Sequence, residues 1–334
     1  MSAAPTVPPP LPVVRAADLD DAPATAQWLV ESLWARAGVG ILGGAPKCCK
    51  SWLGLDLALS VASHTPCLGS FPVHDAGPVL VYLAEDATSV VKQRLLGLCA
   101  HRGLDLAALP VHVITANAIR IDQPRDQARL RETVKIIRPR LLLLDPFVRL
   151  HRVDENDSGQ VSALLGYLRE LQRENDAAVL VVHHARKNAA SAQAPGQSLR
   201  GSGDLHAWGD SNLYLHRRRE GLLLTIEHRA APAPDPITLR LDTEADRTHL
   251  CIVGADREDP TEHDDDEPRA DLADALLAAI DAAHEPLRRR ELRAALRVRN
   301  QRLGPVLDQL LADGSIVRVG DRWTRAGVPV PANP

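Results

Sequence analysis

The sequence predicts an α/β protein built on a mainly parallel sheet, followed by a small helical module. Two observations carry this prediction. Short aliphatic runs alternate with amphipathic stretches over the first three quarters of the chain, as in a sheet covered on both faces by helices. An acidic segment then separates this part of the chain from a C-terminal region with three short helical patterns. The first five apolar runs are Val39–Leu42, Val79–Leu83, Val111–Ile114, Leu141–Leu144 and Val179–Val182.

Four later apolar runs follow one another without helical spacers, which predicts an antiparallel extension of the same sheet. The predicted boundaries are a Pro/Ala-rich arm over 1–27, a core domain over 28–254, an acidic linker over 255–270, a C-terminal module over 271–326 and a tail over 327–334. The later runs are Leu213–Leu215, Leu222–Ile226, Ile237–Leu241 and Leu250–Val253.

Composition narrows the class of protein. The chain of 334 residues is 45% apolar and 25% charged, which is typical of globular proteins, and its net charge is −4. The five cysteines do not have the spacing typical of disulfide-rich domains, which argues against a disulfide scaffold. No run approaches 18 apolar residues, and the N-terminus has no charged-then-apolar leader, so we expect a cytoplasmic protein.

A phosphate-binding loop follows the first strand. The octet Gly44–Ser51 has the Walker A spacing, with Lys and Ser at its end and an apolar helical pattern after it. Backbone N–H groups of such a loop cradle phosphate oxygens; Lys50 would contact the β- and γ-phosphates, and Ser51 would bind Mg²⁺. The predicted nucleotide-binding residues are Gly44, Ala45, Pro46, Lys47, Cys48, Cys49, Lys50, Ser51 and Trp52.

Cys49 departs from the motif, since it occupies the position of the second glycine. If that position requires a positive φ, the side chain costs about 1–2 kcal/mol. Replacement by glycine is then expected to tighten nucleotide binding. The pair Cys48 and Cys49 is also open to a redox interpretation, although two small residues in a tight loop are the simpler one.

Polar residues end three further strands. Asp145 follows Leu141–Leu144 as in a Walker B motif and is predicted to reach Mg²⁺. Glu85 ends Val79–Leu83 and is the predicted base for the attacking water, while its neighbour Asp86 is a polar contact or the N-cap of the next helix. His184 ends the strand over 179–182 and is placed to sense the γ-phosphate.

Together these motifs resemble the RecA-like hexameric ATPases of the AAA group, in particular plasmid replicative helicases of the RepA type. The resemblance covers about Trp28 to Leu241. It implies ATP and Mg²⁺ as ligands, a hexameric homo-oligomer, and single-stranded DNA passing through the ring. The DNA-contact candidates that it implies are Arg149, Arg152, Arg186, Lys187 and Arg200, and Arg229 is the candidate arginine for a neighbouring subunit's γ-phosphate.

The C-terminal module has three amphipathic patterns followed by two short strands, a winged helix-turn-helix arrangement. Residues 288–302 are rich in arginine, so duplex DNA is a candidate ligand, with protein–protein contact as the alternative. The arginines chosen as DNA-binding candidates are Arg289, Arg299 and Arg302.

The leading functional hypothesis is an oligomeric ATPase acting on DNA, such as a replicative-type helicase or loader. Two alternatives remain at this level. One is a regulatory switch that binds nucleotide and DNA with little turnover, and the other is a scaffold with a degenerate loop. Cys49 and the weakly placed Arg229 are the features that leave them open.

Overall fold

The structure is a computed structural model. It describes residues 11–18, 27–184, 204–218, 221–244, 247–253, 269–283, 286–296, 300–319 and 322–326. The chain divides into two compact units, Met1–Asp256 and Arg257–Pro334.

The first unit contains a nine-stranded sheet in the order β11-β10-β9-β8-β3-β7-β6-β4-β5, and a separate two-stranded sheet of β1 and β2. The strands are β1 Trp28–Val30, β2 Trp34–Ala35, β3 Val39–Gly44, β4 Val79–Leu83, β5 Val111–Val113, β6 Leu141–Asp145, β7 Ala178–His184, β8 Ser211–Arg218, β9 Gly221–His228, β10 Ile237–Glu244 and β11 Arg247–Ile252. The helices are α1 Lys50–Ser63, α2 Thr88–Arg102, α3 Pro124–Ile137, α4 Ser158–Asn175 and α5 Asp204–Trp208.

The central strands β3, β4, β6 and β7 are buried along their lengths, which accounts for their almost wholly aliphatic sequences. Two apolar clusters form the core, one on each face of the sheet. The first includes α1 and α2 residues such as Leu57 and Leu98, and the second includes α4 residues such as Leu168. Layers of this kind leave the carboxyl edge of the parallel strands open to loops, where ligands of α/β proteins bind.

The antiparallel extension is confirmed for β9, β10 and β11, each of which pairs antiparallel with its neighbour. β8 begins this extension, since it pairs antiparallel with β9, but it also pairs parallel to β3 with Gly44 opposite Leu215, which was not predicted. β7 and β8 therefore both run parallel to β3, one on each side of it. A polar residue at the end of β8 consequently lies at the same edge as the end of β3.

In its described residues, the second unit has three helices and a three-stranded antiparallel sheet. Its apolar core includes Leu276, Leu292, Leu307 and Trp323. A short strand, Leu287–Arg288, precedes the second helix and was not anticipated. The elements are α6 Arg269–Ala282, β12 Leu287–Arg288, α7 Arg289–Leu296, α8 Asn300–Ala312, β13 Ile316–Val319 and β14 Arg322–Arg325.

In the described part of the chain, no helix has both the length and the apolar character needed to cross a bilayer.

Candidate nucleotide site

The loop between β3 and α1 has a backbone that only certain residues fit. Gly44 has φ 155°, and a Cβ there would lie 2.5 Å from the Leu215 carbonyl oxygen, so glycine is required. Lys47 and Cys49 have φ values of 61° and 63° in the left-handed region. Cys49 is the N-cap of α1 and makes no side-chain capping bond. The sequence-based concern about Cys49 is therefore justified at the level of backbone conformation.

Lys50 begins α1 with its side chain turned into the loop. Its ammonium donates to the carbonyl oxygens of Gly44 at 3.0 Å and Ala45 at 2.8 Å. Burial lowers the pKa of Lys50, while the neighbouring Cys48 and Asp145 act in the opposite direction. The ammonium is thus held at the mouth of the loop, on the side facing Asp145.

Asp145 ends β6 and is 7% exposed. Burial raises the pKa of Asp145 to about 6, against the opposing effects of the Ser51 hydroxyl, which donates to its carboxylate, and of Lys50. The Oδ2 atom is buried and, among the described residues, has no hydrogen-bond partner. A buried carboxylate oxygen beside a hydroxyl is a suitable oxygen donor set for Mg²⁺, so these two residues fit the ion.

Glu85 and Asp86 follow β4, which pairs with β6 so that Leu83 lies opposite Asp145. Both carboxylates are near enough to Asp145 to raise its pKa. The Arg149 Nε atom donates to Glu85 Oε1 at 2.7 Å. The suggestion that Asp86 caps the next helix is wrong.

The N-cap of α2 is Ala87, and Asp86 instead accepts two hydrogen bonds from Arg94, at 2.5 and 3.1 Å. Arg94 lies about one and a half turns into α2. Because its guanidinium holds the Asp86 carboxylate, that carboxylate does not cap the first backbone N–H groups of α2. The polar contact predicted for Asp86 is therefore with Arg94, a side chain of the helix that follows it.

His184 ends β7, and its Cα lies opposite that of Gly44 in the β3–β7 register. The structure thus brings the ends of β3, β6 and β7 together at one edge. The DNA-contact candidates that follow this strand, Arg186, Lys187 and Arg200, lie outside the described residues.

Arg229 lies elsewhere. Its guanidinium donates to the Ala207 carbonyl and lies 3.4 Å from Asp210, whose carboxylate also accepts from the Val39 backbone N–H. Val39 is the first residue of β3, so Arg229 lies at the amino end of the parallel strands. It cannot reach the Gly44–Ser51 loop of its own chain, and its action on a neighbour's site remains a prediction.

Sequence reasoning missed Arg217. This residue is near the end of β8, and its Nη2 atom donates to the Lys47 carbonyl oxygen at 2.7 Å. A cation is therefore fixed directly against the phosphate-binding loop. The signal in the sequence was the basic run 217–219 after an apolar strand, but with β8 assigned to the antiparallel extension that run could not be placed at the loop.

A loop, a lysine, a hydroxyl and a buried carboxylate at the carboxyl edge of a parallel sheet define a P-loop nucleotide-binding protein. The family model for an AAA domain (AAA_25) matches residues 4–190, more than half of the chain. The chain belongs to this family.

The chain also aligns with solved structures. The ATPase domain of G40P is 16% identical and aligns with a TM-score of 0.50 over 64% of this chain and 84% of its own. The RadB recombinase is 17% identical over 66% and 92%, with a TM-score of 0.48. A DnaB-like replicative helicase is 16% identical over 64% and 57%, with a TM-score of 0.47. The first unit accordingly shares its fold with the ATPase domain of G40P.

Proposed function

We propose that this protein is an ATP-hydrolysing, oligomeric ATPase that acts on DNA, of the replicative helicase or loader type. The observation that carries the proposal is the convergence of Lys50, Ser51, Asp145 and Glu85 at one edge of the sheet. Lys50 and Ser51 begin α1, Asp145 ends β6 and Glu85 follows β4. Each has the side-chain type that phosphoryl transfer from ATP requires.

In the proposed reaction the loop and Lys50 hold the β- and γ-phosphates, and Ser51 and Asp145 hold Mg²⁺. The ion, when bound, neutralises charge on the phosphate oxygens. Glu85 orients the attacking water and accepts its proton. His184, opposite Gly44, is the residue placed to respond when the γ-phosphate leaves, and Arg217 maintains the loop through the Lys47 carbonyl.

The proposal of DNA as the partner is supported by the RecA-like fold, which G40P shares, and by the motif resemblance to RepA-type helicases. A ring of subunits would place Arg229 near the site of a neighbour. An arginine supplied from another subunit is worth about 10³–10⁵ in rate where it acts, so turnover should depend on assembly.

The test is ATP hydrolysis by the full chain with and without a single-stranded oligodeoxynucleotide, with the oligomeric state measured by light scattering. We expect stimulated turnover that falls about 10²-fold or more in Lys50→Ala and in Glu85→Gln. Lys92→Ala and Glu132→Gln remove the same charges from exposed helix positions and should retain the wild-type rate. Undiminished hydrolysis in Lys50→Ala would contradict the proposal.

For the second unit we propose a winged-helix module that binds duplex DNA. Three helices and a small antiparallel sheet support it, as does Arg289, which is exposed at the start of α7. Arg299 lies outside the described residues, and the side chain of Arg302, in α8, lies outside the description as well.

Fluorescence anisotropy with a duplex oligonucleotide tests the duplex proposal. Arg289→Ala should weaken binding and lower the salt slope by about 1. Arg173→Ala, on the exposed face of α4 in the first unit, is the control. Binding and salt slope equal to the wild type in Arg289→Ala would favour the protein–protein alternative for this module.

Two observations favour a second candidate, the nucleotide-dependent switch with little turnover. Cys49 occupies the left-handed position of the loop, and the structure pairs Glu85 with Arg149. ATP binding that alters DNA affinity, without DNA-stimulated hydrolysis, would identify this candidate.

A further inference from the structure

A polar cavity of about 350 Å³ opens beside Glu85 at the carboxyl edge of the sheet, on the side of β4 and β5. Its wall is formed by the end of β4 and by the segments that follow β4, β5 and β6. The lining residues are Tyr82, Ala84, Glu85, Asn117, Ala118, Arg120 and Arg149.

The ion pair between Arg149 and Glu85 lies in this cavity. The two side chains are 60% and 46% exposed, and the Nε–Oε1 distance is 2.7 Å. Exposed pairs of this kind are weak, so a competing anion can displace one partner. While the pair is formed, the carboxylate that should act on water is held by a guanidinium.

The backbone under Arg149 is anchored independently of its side chain. Phe147 and Leu150 are fully buried on either side of it. The Arg149 N–H donates to the Pro146 carbonyl at 3.0 Å, and the Arg120 guanidinium donates to the Arg149 carbonyl. The Arg149 guanidinium can therefore leave Glu85 without any change in the loop that carries it.

The charges in the cavity favour an anionic ligand. Two guanidiniums and one carboxylate leave one net positive charge, which matches the single charge of a phosphodiester, and the amide of Asn117 adds hydrogen-bonding capacity. Guanidinium groups bind phosphate oxygens through two parallel hydrogen bonds, a stronger contact than an exposed bond to a carboxylate.

We propose that Arg149 is a positioning residue that restrains Glu85, and that a backbone phosphodiester of single-stranded DNA, bound by Arg149 and Arg120, releases it. DNA binding would thereby switch on the general base of hydrolysis. The inference rests on the proposed function, because it assumes that Glu85 acts on water and that DNA is the partner.

The experiment compares ATP turnover of wild type, Arg149→Gln and Arg149→Lys in the full chain, with and without an oligodeoxynucleotide. Arg149→Gln should raise the basal rate about two- to fivefold, the range expected for loss of an exposed ion pair, with an unchanged KM for ATP. The further stimulation by DNA should shrink by the same factor. Arg149→Lys retains a cation and should restrain Glu85 in part.

Three controls distinguish this mechanism from an ion pair that only stabilises the fold. Glu85→Gln combined with Arg149→Gln should be as inactive as Glu85→Gln alone. Arg173→Gln removes an exposed arginine from α4 and should leave both rates unchanged. Arg149→Gln and Arg120→Gln should each lower the salt slope of oligonucleotide binding by about 1, an effect that loss of a structural contact would not produce.

The outcomes distinguish the inference from the function beneath it. If Lys50→Ala abolishes turnover but Arg149→Gln matches wild type in basal rate, stimulation and salt slope, only the inference is overturned. If Lys50→Ala hydrolyses ATP normally, the proposed function fails as well. Stimulation by inorganic phosphate equal to that by the oligonucleotide would identify free phosphate, not DNA, as the ligand of the cavity and would overturn the assignment.

Discussion

Replacement of Cys49 by glycine tests whether the left-handed backbone conformation of this residue strains the phosphate-binding loop. Cys49 has φ 63° and ψ 23° at the N-cap of α1, a conformation that costs an L-residue about 1–2 kcal/mol. Glycine adopts it without this cost but loses about 0.4–1 kcal/mol through the greater freedom of the unfolded chain. The net stabilisation expected for Cys49→Gly is therefore about 1 kcal/mol or slightly less.

The structure also refines what should happen to nucleotide affinity. If the loop keeps the left-handed conformation of Cys49 both with and without nucleotide, the strain is common to the free and bound loop and largely cancels in binding. We expect the gain mainly in stability, a rise in Tm of about 2–4 °C for a domain of this size. The tighter binding expected from the sequence should appear only as far as the free loop relaxes from this conformation.

The assay is thermal unfolding combined with titration of a fluorescent ATP analogue. Cys49→Ala removes the thiol but keeps a Cβ and the strain, so its Tm should not rise. Arg138→Gly, at the exposed C-cap of α3 with φ 51°, measures the same relief away from the loop. A Tm for Cys49→Gly no higher than that of Cys49→Ala, with Arg138→Gly stabilised, would refute the strain argument.

Two further predictions concern buried polar groups. Arg102 and Asp56 form an ion pair with side chains 10% and 3% exposed, so Arg102→Met leaves a buried carboxylate and should lower the free energy of unfolding by about 3–5 kcal/mol in urea titrations; a loss below about 1 kcal/mol would contradict this. Burial lowers the pKa of His151 below its usual 6.5, so the unfolded chain binds more protons and stability falls as the pH drops below about 6.5. His151→Leu should flatten the dependence of Tm on pH, and a slope equal to that of wild type would count against this origin.

Much of the candidate site could be predicted because its motifs are local. The octet Gly44–Ser51 lies within one turn, and Asp145 and Glu85 each end an aliphatic strand. Parallel strands bring their carboxyl ends to one edge, so residues distant in sequence could be placed together without coordinates. The N-cap role for Asp86 was wrong because a side-chain partner eight residues later, Arg94, competes for its carboxylate.

What the sequence alone determined is the chemistry available at the edge of the sheet: a phosphate-binding loop, a metal-binding carboxylate and a base. Only the tertiary structure decided which cations accompany them. Arg217 reaches the Lys47 carbonyl, 170 residues earlier in the chain, because β8 runs parallel to β3. Arg149 reaches Glu85 across 64 residues because a buried turn after β6 presents it. Such contacts depend on strand order and loop course, which residue patterns along a chain do not encode.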